Sequence, residues 1–133
     1  MAWAKTAKVS KLYPETLTQI AIVKWFNLQY PQLKGHLIKI GNGGKKSVQG
    51  HVLSRRMGEI VGASDLFLAF ASNGYHGLWL EVKPEKFKAN KSNSAHINQQ
   101  LDFIESMREV GYDGEMVVGS KEGIEVIKSY MAN

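Results

Sequence analysis

The six residues LWLEVK, positions 78 to 83, constrain the fold more than any other stretch of the chain. Successive side chains of a strand point to opposite faces, so Leu78, Leu80 and Val82 share one face while Trp79, Glu81 and Lys83 share the other. The first face is uniformly apolar and the second mixes a large aromatic ring with charges. A strand with apolar demand on both sides belongs in a sheet covered on both faces. Charges at the end of a covered strand need partners, because a lone buried charge is costly.

The rest of the chain supplies the covering layers. Pro14 suits a helix start, and the apolar-rich run from Leu17 to Leu28, stopped at Tyr30-Pro31, predicts a helix that is apolar on more than one side and sandwiched. HLIKI (36 to 40) reads as a short strand, GNGGKKS (41 to 47) as a basic turn, and Val48 to Met57 as a short helix ending at Gly58. Asp65 to Phe70 reads as a strand joined to LWLEVK through the loop SNGYHG. KPEKFKANKSNS (83 to 94) is polar and basic, and predicts an irregular, mobile loop. A helix from about Ala95 to Val110 follows, with Ser94 as N-cap candidate and Gly111 as C-cap. Tyr112 to Val118 then predicts a strand. Lys121 to Tyr130 predicts a closing helix with Ile124, Ile127 and Met131 inward. This order gives a mixed α/β domain with a central sheet flanked by helices.

Length and composition bound the reading. A chain of 133 residues, 44% hydrophobic, fits one domain over 1–133, with residues 1–12 a basic N-terminal segment. No cysteine is present, which removes disulfides and thiolate metal sites, and His36, His51, His76 and His96 lack ligand spacing, so each reads as polar surface or core edge. No stretch is apolar enough for a signal peptide or a membrane span, which points to an intracellular, cytoplasmic protein. The charge is uneven: residues 1 to 58 hold ten Lys/Arg against a single acid, Glu15, whereas the remainder is acidic on balance. Such asymmetry suits a side that faces a polyanion, although charge alone favours a solvated basic surface. GNGGKKS is not a Walker A loop, since Gly44-Lys45 is followed by Lys46 and position 39 is Lys. Tyr75 and Phe87 are loop aromatics that could stack on bases.

One constellation carries chemistry. Asp65 is separated from Glu81 by fifteen intervening residues, and a hairpin would set it beside Glu81 and Lys83 on one face. Two carboxylates cannot share a partly buried place as bare anions, and a hard divalent ion between them resolves the repulsion. The plain alternative is a same-face Glu–Lys pair on an ordinary strand. A second hint lies on the 95 to 110 helix, where Ile97, Leu101, Phe103, Ile104, Met107 and Val110 form one apolar stripe with Gln100 near its middle. That amide is either satisfied in the core by backbone or aimed at the site.

Taken in order, PETLTQIAIVKWF with Glu15, GNGGKK, VLSRRMGEIVGASDLFLAF, GYHGLWLEVK, QQLDF and REVGYDGEMVVGSKEGIEVIKSYM resemble the virus-type replication-repair nuclease (VRR-NUC) family, over about residues 13 to 131. The resemblance implies an α/β restriction-endonuclease-like, PD-(D/E)xK fold and metal-dependent cleavage of DNA. It makes Asp65 and Glu81 metal-binding carboxylates, with the backbone carbonyl of Val82 a further ligand. Lys83 would orient or activate the attacking water. Gln100 matches the family's glutamine on the following helix, and Glu15 an acid that completes the site directly or through water. Mg²⁺, or Mn²⁺ in its place, is the implied cofactor. The implied partner is DNA, with four-way (Holliday) junctions the leading substrate and a homodimer the leading assembly; flap, nicking or end-processing cleavage is the alternative within the class, and a basic DNA-binding module the alternative outside it. Lys45, Lys46, Arg55, Arg56, Lys86, Lys88 and Lys91 are the candidate phosphate contacts. The chain departs from the family pattern in having Ser64 where proline usually precedes the aspartate, and in a longer, less glycine-rich segment between Lys83 and Gln100.

Overall fold

A computed structural model describes residues 12–41 and 47–132. Eight regular elements follow one another: α1 (Pro14–Gln29), β1 (Leu37–Lys39), α2 (Val48–Arg56), β2 (Leu66–Leu68), β3 (Leu78–Lys83), α3 (Ser94–Arg108), β4 (Asp113–Val118) and α4 (Gly119–Met131), with a short 3₁₀ turn at Pro31–Leu33 after α1. The strands form one sheet in the order β1-β2-β3-β4. The first two pairings are antiparallel and the last is parallel. A parallel neighbour needs a crossover, and α3 supplies it.

The alternation along β3 decides the layers. Leu78, Leu80 and Val82 are buried with Ile22 and Phe26 of α1, Val117 of β4, and Ile127 and Tyr130 of α4 in the main core. On the opposite face Trp79 packs against Phe67 (ring centroids 4.5 Å apart) and edge-on against Phe103 of α3 (5.0 Å). Both faces of the strand are therefore covered, as its sequence demanded.

Pro14 opens α1 as expected, and the Tyr30 N–H donates to the Phe26 carbonyl where Pro31 stops it. The expected sandwiching is corrected. Thr18, Ile22 and Phe26 are the buried residues, spaced four apart on one stripe, while Leu17, Ile20 and Leu28 are exposed. Apolar content on a second side of a helix does not supply a layer to cover it, and α1 meets α4 and β3 on one side. Gly123 of α4 allows that close approach, since a Cβ there would meet Ile22 Cδ1 at 2.5 Å. On α4, Gly119, Gly123, Ile127 and Tyr130 turn inward, with Ile124 and Met131 only half-buried.

Two helix details also differ from expectation. Ser94 is the first residue of α3 rather than its cap: Asn93 holds the cap position but spends its side chain on the Asn90 N–H and the Lys88 carbonyl instead of the helix, and the Ser94 hydroxyl donates to the Lys91 carbonyl. On α3 the buried residues are Gln100 and Ile104, whereas Leu101 and Val110 are exposed, so the stripe is narrower than the apolar pattern implied. α2 is capped by Ser47, whose side chain accepts from the Gly50 N–H, and none of its residues is buried. It forms part of a cleft wall, through His51 and Arg55, and no part of the core.

Candidate active site

The hairpin register sets the chemistry. Leu66 pairs with Leu80, so one step further along the antiparallel ladder Asp65 falls opposite Glu81. Asp65 lies just before β2 and accepts a hydrogen bond at Oδ2 from the Val82 N–H, 2.8 Å away. That bond pins its carboxylate against the end of β3. Glu81 is 3% exposed, Lys83 7% and Gln100 5%, so three polar groups converge in a place nearly closed to solvent.

Their contacts form a chain. Lys83 Nζ donates to Gln100 Oε1 at 2.7 Å and lies 3.6 Å from Glu81 Oε2. The same ammonium sits over the Phe87 ring, 5.1 Å from its centroid. Gln100 Nε2 in turn meets His96 Nε2 at 3.2 Å. The amide thus bonds two side chains, Lys83 and His96, and is not spent on backbone.

Electrostatics at Glu81 are unusual. Burial, then the neighbouring Asp65 carboxylate, push its carboxyl up to about 9, and Lys83 offsets this only in part. Glu81 Oε1 is buried without a hydrogen-bond partner. A carboxylate that is desolvated, crowded by a second carboxylate and left with a free oxygen fits a hard cation as its missing partner. Among the described residues, no three His, Cys, Asp or Glu side chains gather closely enough to hold an ion by themselves. The protein donors that fit are therefore the Asp65 and Glu81 carboxylates with a backbone carbonyl such as that of Val82.

These groups open into a cleft of about 650 Å³, whose walls include Glu15, His51, Arg55, Glu59, Asn93 and His96. Glu15, on the first turn of α1, reaches the cleft without joining Asp65 and Glu81 as a third close carboxylate. Arg55 lines the cleft, while Arg56 is exposed on the last turn of α2 outside its lining. Lys86, Lys88 and Lys91 are exposed on the irregular segment between β3 and α3. Lys45 and Lys46 lie outside the described residues. Phe87 packs under Lys83, and Tyr75 stacks near Tyr130 (centroids 6.4 Å), so both loop aromatics already have intramolecular partners. Ser64, standing where proline was expected, is fully buried and its hydroxyl makes no hydrogen bond. His96, expected at the surface or core edge, is exposed at the rim of this cleft, and its spacing of one helical turn from Gln100 is the sequence signal that connects the two.

Neither a family model nor a curated protein matches the sequence. Among solved structures the chain is similar to one described as "VRR_NUC domain protein", with a TM-score of 0.71 at 24% identity, covering 92% of this chain and 91% of that one. The two share a fold. The mixed sheet between α1/α4 and α3 is the arrangement they have in common, and its α/β class is the one the sequence resemblance implied.

Proposed function

We propose that this chain is a VRR-NUC-type nuclease that hydrolyses phosphodiester bonds in DNA with the help of Mg²⁺ or Mn²⁺. One observation carries the reading: Asp65, Glu81 and Lys83 meet at the buried end of β3 with Glu81 Oε1 unpartnered. A structural Glu–Lys pair would not need a second carboxylate beside it, nor leave a buried oxygen free. The fold shared with the VRR_NUC domain protein supports the same reading.

Asp65 and Glu81 would hold the cation, with the Val82 carbonyl as a further donor. When bound, it supplies charge for the scissile phosphate and lowers the pKa of water. Lys83, held by Gln100 2.7 Å away, presents its ammonium at the cleft, where it steadies negative charge that develops on the phosphate. Phe87 shields one side of that ammonium and limits the water around it. Glu15, across the cleft, acts through water. Arg55 contacts a phosphate near the cut, and Arg56 with Lys86, Lys88 and Lys91 contacts phosphates further away, which positions DNA without reading its sequence.

The substrate we favour is a branched DNA, a four-way junction first, cut by a homodimer whose two-fold axis gives paired sites. The test is a panel of labelled four-way junction, flap, nicked and linear duplex, incubated with Mg²⁺, Mn²⁺ or EDTA. Glu81→Ala serves as the blank and light scattering gives the oligomeric state. Cleavage of the junction by a dimer supports this version, and preference for flaps or ends moves the substrate class. If no metal-dependent, Glu81-dependent product forms on any substrate, the nuclease reading falls and a DNA-binding module takes its place.

A further inference from the structure

The Lys83–Gln100–His96 chain has a direction, and it fixes the state of His96. Lysine offers three donors and no acceptor, so the amide atom 2.7 Å from Lys83 Nζ is the Gln100 oxygen. Its Nε2 then faces the other way and donates, 3.2 Å from His96 Nε2. That ring nitrogen must accept, which requires a neutral imidazole with its proton on Nδ1. Gln100 is 5% exposed, so its amide cannot turn to bulk water, and these two neighbours decide its orientation. Reversed, the amide would set an NH₂ against the ammonium, donor facing donor. Lys83 would then lose its short bond and keep Glu81, 3.6 Å away, as its remaining charged neighbour.

We infer that His96 is a positioning residue that locks the Gln100 amide with its oxygen toward Lys83, and so fixes the place of the Lys83 ammonium beside Glu81 in the cleft. His96 and Gln100 are one turn apart on α3, so the helix itself sets their spacing. His96 is exposed at the cleft rim, where replacement should not disturb the core. The catalytic consequence rests on the nuclease reading; the hydrogen-bond lock does not.

The experiment therefore has two arms. Long-range ¹H–¹⁵N spectra of the labelled full chain, at a pH where the imidazoles are neutral, should show the Nδ1–H tautomer for His96. In Gln100→Leu the same ring should lose that preference. An Nε2–H tautomer in the wild type overturns the inference. In the second arm, His96→Leu removes the acceptor and keeps water from replacing it, so kcat should fall about three- to tenfold, the range of one ordinary hydrogen bond, with KM and melting point unchanged. His96→Gln, whose Oε1 can reach the same place, should recover most of that loss. Wild-type kcat in His96→Leu, or equal losses in both variants, overturns the positioning role. A wild type that cuts nothing sinks the nuclease reading, and the tautomer still decides the lock.

Discussion

Glu81 joins the chemistry of the cleft to the stability of the fold. Its carboxyl is pushed up to about 9 from an ordinary 4.5, so the folded chain holds that proton more tightly than the unfolded one. The resulting stabilisation is complete below the ordinary carboxylate range and is lost as pH rises toward 9. The metal-free protein should therefore melt at progressively lower temperature between about pH 5 and 9. Mg²⁺ should raise the melting point, and by more at the alkaline end, where it replaces a proton already lost. Melts with and without Mg²⁺ across that range check both; a metal effect equal at all pH values would refute the linkage. Glu81→Gln keeps the shape and removes the need to take up a proton on folding, so at pH 8 it should stabilise the metal-free protein by about 1–2 kcal/mol while cleavage drops by about 10²-fold or more. Glu81 and Lys83 were legible in the sequence because parity along a strand is rigid, and Asp65 because a hairpin fixes which residues face. The role of His96 was not legible. Its helical spacing was visible, but only the direction of the Lys83 bond shows which way the Gln100 amide points.

The packing of α3 against the segment before β2 determines whether Gln100 reaches the site at all. Gly62 has φ +89° and its Cα faces the backbone of α3: a Cβ would sit 2.9 Å from the Gln99 carbonyl oxygen. Gly58, with φ +105°, faces open space. The two positions separate backbone conformation from contact. Gly58→Ala should cost about 1 kcal/mol, the penalty for a side chain at positive φ. Gly62→Ala adds a clash with backbone, so we expect a loss of about 2–4 kcal/mol in denaturant titrations, and a fall in kcat because α3 must shift with Gln100 on it. Equal losses at both positions would show that the contact is unimportant. α3 ends at Arg108 with Glu109 at the cap position, and the closing turn at Gly111 could be read from sequence because positive φ there, +96°, favours glycine. The covering of α1 could not. Periodicity reports where apolar side chains lie on a helix, not whether another layer reaches them, and Leu17, Ile20 and Leu28 are exposed. For the same reason the sequence placed α2 correctly as a short helix but gave no sign that none of its residues is buried.

Across the molecule, part of the basic excess of residues 1 to 58 acquires a place on α2, while Lys5, Lys8, Lys11, Lys45 and Lys46 lie outside the described residues. Arg55 and Arg56 are adjacent in sequence, and the pitch of the helix separates them: Arg55 lines the cleft and Arg56 does not. If DNA lies across this wall, both guanidiniums release counterions from phosphates, and each should contribute about 0.9 to the slope of log affinity against log salt. Arg55→Gln and Arg56→Gln should thus flatten that slope similarly, measured by fluorescence anisotropy on a catalytically blocked Glu81→Gln background. Their effects on turnover should differ. Only Arg55 stands where a phosphate next to Asp65, Glu81 and Lys83 would lie, so only its loss should lower kcat, whereas Arg56→Gln should weaken binding at unchanged kcat. Comparable kcat losses in the two variants would mean that the whole wall moves with substrate and that the cleft assignment of Arg55 is wrong. Unchanged salt slopes in both would place DNA on another face, and the charge asymmetry would then be a solvated surface after all.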